Sequence, residues 1–384
     1  MPRFLSSLIL VSSFLVSFGA PQISLLTFYP GQEIYELEGH TALRVQDENM
    51  DYTMNWGTFD FNSPNFVYRF VKGETDYMLE ADYSDLFINH YRRDGRRVVE
   101  QKLNLTEEEA ERVFLLIRQN LLPENLHYRY KYVHDNCATR PLKVLESALN
   151  DSLYLAEADN AETTFRQVMR RYHRNYPWYQ FGIDIALGSD LDLTMTNREH
   201  TFVPVQLEQM VAGATIGKDG RKLVASTEVL VEGSDVVLPP TPWYLTPMFF
   251  ATLIALIVIA VSVRDIRRGK PSRWLDACFY AILSVAGLIL TFLIFISVHE
   301  ATSPNFNYLW MNPLCLLGIV LPWLRKAARL LVWWQFINFA LILTYATSVV
   351  CGIQSANIAF WPILVADAVR SLVDIYLYRR YVKS

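Results

Sequence analysis

The stretch Tyr132-Val133-His134-Asp135-Asn136-Cys137-Ala138-Thr139-Arg140-Pro141 holds the only cysteine in the first 277 residues. Those residues read as an exported domain, where cysteines ordinarily pair into disulfides. A cysteine alone in such a domain has no partner there and is open to oxidation, so its retention points to nucleophilic chemistry. The competing reading is a packed, inert thiol. The flanks carry fold information too. Tyr128 to Val133 is strand-like, and Thr139-Arg140-Pro141 followed by Val144, Leu145 and Ala148 reads as a helix with proline in its first turn, where the missing N–H costs nothing. Cys137 is therefore expected at or just before a helix N-terminus, whose dipole lowers a thiol pKa.

Working outward, the segments Ile23–Tyr29, Thr41–Val45, Tyr52–Trp56 and Phe66–Phe70 alternate and are rich in aromatic and β-branched residues, which predicts short strands with a polar turn at Gln46–Met50. Thr106 stands three residues before Glu109, a capping box that opens a helix striped by Val113, Leu116 and Ile117 and ending near Asn120–Pro123. Further helices are expected over Thr163–Arg174 and around Val205–Ala212, and strands over 213–238 about a Lys218-Asp219-Gly220 turn. The class is α+β.

A thiol nucleophile needs a base, and His40 in Glu38-Gly39-His40-Thr41-Ala42-Leu43-Arg44-Val45 is the strongest candidate. The glycine before it permits close approach of another backbone, and the alternation after it indicates a strand. His40 precedes Cys137 by 97 residues, the reverse of the usual papain order, which fits a circularly permuted papain-like fold. His134 is a rival base, while His90, His127, His173 and His200 read as surface residues. Asn55 or Asp60 would orient the imidazole, and Asn136 would join the Cys137 N–H in an oxyanion hole. Arg44 and Arg140 would bind a phosphate headgroup or serve in ion pairs.

The two ends of the chain concern the membrane. Arg3, the apolar run Phe4–Val16 and the small residues near Gly19 predict a signal peptide over 1–19, and an exported domain over 20–237. Leu238-Pro239-Pro240-Thr241-Pro242 begins a stiff linker, 238–244. Five spans are expected in 245–384: Leu245–Val263, Leu275–Val298, Leu309–Leu324, Leu330–Val350 and Ile358–Tyr376. Arginines and lysines follow the first, third and fifth, and none lies between the second and third or the fourth and fifth. That asymmetry puts the basic loops and the C-terminus in the cytoplasm and the first domain outside. The external loop His299–Pro313 carries His299, Asn305, Asn307 and Asn312, either as substrate contacts or as helix caps. Cys278, Cys315 and Cys351 read as packing residues of the spans. With a net charge of −4 and no basic patch, nothing points to nucleic acid.

Gly39–Val45, Asn55-Trp56-Gly57-Thr58-Phe59-Asp60-Phe61, Tyr130–Arg140, Phe181–Gly188 and Thr302–Leu314 together resemble the "Lnb N-terminal periplasmic domain" family of Bacteroidota, along nearly the whole mature chain. The permuted order also resembles NlpC/P60 and lecithin retinol acyltransferase-like thiol domains. The resemblance implies an inner-membrane lipoprotein N-acyltransferase. Such an enzyme moves an acyl chain from a phospholipid, through a thioester on Cys137, to the α-amine of a diacylated lipoprotein's N-terminal cysteine. No metal or diffusible cofactor is needed for that route. The alternatives are a membrane-tethered cysteine peptidase or amidase, and a non-enzymatic envelope sensor or assembly protein.

Overall fold

A computed structural model describes residues 20–59, 63–159, 162–234 and 239–382. The expected signal peptide and Asp60 lie outside the described residues. The chain divides into two compact units. The first comprises residues up to Phe70, Glu74–Thr163 and Thr194–Leu238; the second comprises Val71–Gly73, Thr164–Leu193 and Pro239 onward.

The first unit is built on a seven-stranded antiparallel sheet. Its strands are β1 (Gln22–Phe28), β2 (His40–Gln46), β3 (Asp51–Thr58), β4 (Asp76–Tyr83), β5 (Val98–Leu103) and β6 (His127–Arg129), with β7 (Leu153–Tyr154), β8 (Thr215–Ile216) and β9 (Arg221–Lys222) forming a small separate sheet and β10 (Val224–Val231) returning to the first. The order across the large sheet is β10-β5-β1-β2-β3-β4-β6. Successive side chains on a strand face opposite ways, so β1 and β2 feed two cores. Ile23, Leu25, Leu43 and Val45 pack with Val113, Ile117, Leu142 and Leu145 from the helices Glu107–Asn120 and Thr139–Ala148. Leu26, Phe28 and Ala42 pack on the other face with Ile88 and Tyr91 of the helix Ser84–Arg93. The unit is thus helix, sheet and helix in three layers.

The capping box forms as expected, with Thr106 accepting from the Glu109 N–H and Glu109 accepting from the Thr106 N–H. Phe66–Phe70, expected as a strand, lies in a helix, Phe66–Lys72. Its β-favouring residues face no neighbouring strand, and local propensity alone does not decide such a segment. His173 and His200, expected on the surface, are buried at 0 % and 2 % exposure.

The second unit is helical. Among the described residues, three helices are long and apolar enough to cross a membrane: Pro247–Arg268, Arg273–Phe295 and Arg325–Val350. Five were expected, and both exceptions have a physical cause. Leu309–Leu324 breaks into short turns whose longest helical piece is Leu316–Val320, because Pro313 and Pro322 interrupt the ladder of backbone bonds. Phe360–Val382 is a continuous helix of 23 residues, yet it carries Asp367, Arg370 and Asp374, each fully buried. Arg370 pairs with Asp276 and with Asp265 at 2.9 Å, and Asn338 donates to Asp367 at 2.8 Å.

Residues 164–193, expected within the exported domain, group by their contacts with the second unit. Buried Arg166 ties Asp184 and Asp192 together at 3.0 Å and donates to the carbonyls of Leu187 and Gly188. Asn305 and Asn307 in turn donate to the carbonyls of Ile185, Ala186 and Asp184. These are side-chain contacts to carboxylates and backbone carbonyls of other segments, which composition does not reveal.

Candidate active site

The site lies wholly in the first unit, at the end of the sheet where β2 begins and β3 ends. Gly39 precedes His40 with φ +86°, and a Cβ there would sit 2.6 Å from the Phe28 carbonyl oxygen. The close backbone approach expected from that glycine is therefore present, and it fixes His40 opposite Phe28 in register. On β3, the pairing with β4 slips between Trp56 and Thr58, a bulge at Gly57. Gly57 has φ +140°, and a Cβ on it would lie 3.4 Å from His40 Cε1 and 3.7 Å from Cys137 Cβ. Imidazole and thiol thus lie against the same residue, whose positive φ favours glycine.

Cys137 comes two residues before the helix Thr139–Ala148, as the sequence predicts. The turn is held by Asn136. Its side-chain oxygen accepts from the N–H groups of Ala138 and Thr139, and its amide donates to the carbonyls of Tyr132 and Phe202 at 2.9 and 2.8 Å. With both amide protons engaged, Asn136 holds the loop and does not offer the oxyanion donor expected of it.

His40 Nε2 lies 2.7 Å from Asn55 Oδ1. Asn55 also donates from Nδ2 to Thr58 Oγ1 at 3.1 Å, which fixes the amide so that its oxygen faces the ring. An amide oxygen only accepts, so Nε2 carries the proton and Nδ1 is left basic. Asn55, which the sequence offered beside Asp60 to orient the imidazole, is thus hydrogen-bonded to it. His134, the rival base, is exposed on the loop.

The two groups are held neutral. Desolvation, slightly countered by the Asn55 hydrogen bond, lowers the His40 pKa to about 4. Burial likewise raises the Cys137 thiol to about 11, opposed by hydrogen bonds from the Thr41 N–H, the Tyr130 hydroxyl and the residue's own N–H. Tyr130 stacks on Tyr77 at 4.3 Å between centroids. Burial pushes the Tyr77 phenol to about 12 and Tyr130 well above its ordinary value, so both keep their protons and remain donors. Sequence reasoning gave no role to Tyr77, Tyr130, Gly57 or the Thr41 N–H, although Gly57 and Tyr130 lie in stretches that carry the family resemblance.

The other expected contacts are engaged elsewhere. Arg44 pairs with Asp51 at 2.7 Å and Glu100 at 3.2 Å, and Arg140 pairs with Asp135 at 2.8 Å while lying 3.8 Å over the Tyr128 ring. His299, Asn305, Asn307 and Asn312 belong to the second unit. There the three asparagines donate to backbone carbonyls, Asn305 and Asn312 also cap the turns that follow them, and His299 packs against Gly73. Among the described residues, no three His, Cys, Asp or Glu side chains are placed to hold a metal ion.

Comparison with known families matches residues 16–171 to the Lnb N-terminal periplasmic domain and residues 240–381 to the Lnb transmembrane domain. No curated protein and no solved structure matches the chain. With both halves matched in order, the chain belongs to the Lnb family and is an inner-membrane protein with a periplasmic domain.

Proposed function

We propose that this lipoprotein-processing protein is an N-acyltransferase that carries the acyl group on Cys137. The observation that supports this best is the convergence of a thiol, a neutral imidazole and an orienting amide at Gly57, in a family whose other domain is membrane-embedded. The His40-before-Cys137 order fits the permuted papain-like arrangement. In the first step Cys137 Sγ–H gives its proton to His40 Nδ1 as sulfur attacks the ester carbonyl of a phospholipid. The C–O bond to glycerol then breaks, and His40 returns the proton to the leaving oxygen, releasing lysophospholipid. In the second step the lipoprotein's free α-amine attacks the thioester and its proton passes to His40. The C–S bond breaks and the thiol is restored with that proton. The Thr41 and Cys137 N–H groups and the Tyr130 hydroxyl are the donors for the oxyanion, in place of Asn136.

Phospholipid donor and diacylated lipoprotein acceptor are part of this proposal, as are the cytoplasmic basic loops and C-terminus. Intact-protein mass spectrometry of the full chain in phospholipid vesicles tests it. A hydroxylamine-sensitive acyl adduct is expected on Cys137 and absent from Cys137→Ala. His40→Ala should lose transfer by more than about 100-fold, with the double variant little worse, because the pair acts as one unit. No adduct in the wild type, or transfer persisting in Cys137→Ala, would exclude the thioester.

A further inference from the structure

The helix Phe66–Lys72 is at odds with a water-facing role. Its sequence is Phe-Val-Tyr-Arg-Phe-Val-Lys, yet none of its residues is buried, and Val67 is 73 % and Phe70 47 % exposed. A helix this apolar ordinarily hides one face. From it a single file of rings runs inward. Phe70 stacks on Phe66 at 5.9 Å, Phe66 on Phe59 at 5.6 Å, and Phe59 meets Tyr77 at 4.9 Å. Tyr77 then stacks on Tyr130, whose hydroxyl reaches the Cys137 sulfur.

The file has a polarity gradient. Its outer three rings are phenyl, and hydroxyls occur only on the two rings at the cysteine end. A fatty ester has the same gradient, with one polar carbonyl at the reacting end and hydrocarbon behind it. A peptide, with an amide at every residue, would leave its polar groups unpaired against the phenyl rings. Val71 and Lys72 group with the second unit, where the Lys72 carbonyl accepts from the Val298 N–H at 2.8 Å and from Ser297 Oγ at 3.2 Å. Those residues follow within a few positions of the end of the candidate span Arg273–Phe295. An exposed helix as apolar as Phe66–Lys72 has the character of an interfacial helix.

We infer that Phe70, Phe66, Phe59, Tyr77 and Tyr130 form the track along which one acyl chain of a membrane phospholipid reaches Cys137. The inference rests on the acyl-transfer reading above and adds the binding site of the donor chain. Two measurements on the full chain in phosphatidylethanolamine and phosphatidylglycerol vesicles test it. In the first, a phospholipid carrying a diazirine in mid-chain is photolysed and the labelled peptides are mapped. Labelling within 59–77 is expected; labelling confined to 245–382 would overturn the track. In the second, adduct formation on Cys137 is followed with vesicle phospholipid and with a soluble acetyl ester as donors.

For Phe66→Ser and Phe70→Ser, the ratio of the vesicle-donor rate to the acetyl-ester rate should fall by about tenfold or more. Equal loss with both donors, or no loss with either, counts against the track. Wild-type protein unlabelled by both donors would instead refute the thioester itself, leaving the photolabelling map to judge the track.

Discussion

Cys137 and His40 titrate away from each other, the thiol up to about 11 and the imidazole down to about 4. A preformed thiolate–imidazolium pair is thereby disfavoured, and the proton moves only as the sulfur attacks. Two pH dependences follow. Alkylation of Cys137 by iodoacetamide should be slow at pH 7 and rise about tenfold per pH unit toward pH 10, because only the thiolate reacts. A rate independent of pH above 5 would show a standing ion pair. Acyl transfer should hold down to about pH 5 and fall through about 4 as His40 is protonated. The stability effect has the same sign. The unfolded chain's histidine binds its proton near 6.5, the folded one near 4, so stability is complete above 6.5 and declines as pH falls toward 4. His40→Gln should flatten that part of the acid-stability curve. Cys137 and His40 were legible in the sequence because each is singular in its setting: one cysteine in an exported domain, one histidine behind a glycine at a strand start. Tyr77 and Tyr130 were not, since the chain has 21 tyrosines and nothing local marks the two that face the sulfur.

At the scale of elements, the β3 bulge and the helix caps make separable contributions. Gly57→Ala puts a methyl group, in contact with His40 Cε1 at 3.4 Å, on a backbone with φ +140°, so relief of the backbone strain moves the bulge that touches the imidazole. Thr106→Ala removes only a cap, remote in sequence from the thiol and the imidazole. The cap variant should lose about 1 kcal/mol of stability and keep its transfer rate. Gly57→Ala should lose transfer by more than about tenfold, whatever its stability change. Chemical denaturation alongside the adduct assay reads both; comparable activity in the two variants would mean that Gly57 does not set the His40 position. The strands and caps near the site were readable from alternation and from the Thr106–Glu109 spacing. Phe66–Lys72 was not, because β-favouring residues make a strand only where a sheet edge receives them, which local composition does not show.

For the whole molecule, the harder feature to read was the membrane unit, and the reason lies in Arg370. The sequence offered five hydrophobic stretches; three make apolar spans, one is broken by Pro313 and Pro322, and Phe360–Val382 carries charges that become acceptable only through partners on other helices. Arg370 is fully buried against Asp265 and Asp276, with Asp374 3.4 Å away on its own helix. Removing one partner of a buried pair costs more than the pair contributes, because the remaining charge stays without a counterion. Here three carboxylates share one guanidinium. Arg370→Met, close in volume, should therefore lower the stability of the second unit by about 3–5 kcal/mol, whereas the substitution of one acidic partner, Asp374→Asn, should cost less. Arg370→Lys should recover only part of the loss, since an ammonium cannot reproduce the forked contacts to Asp265 and Asp276. Yield and resistance to thermal aggregation in detergent measure the ranking. Should Arg370→Met match the wild type, Phe360–Val382 would be held by its apolar contacts with Leu331, Trp334 and Tyr345, and the charged cluster would be free for a role of its own.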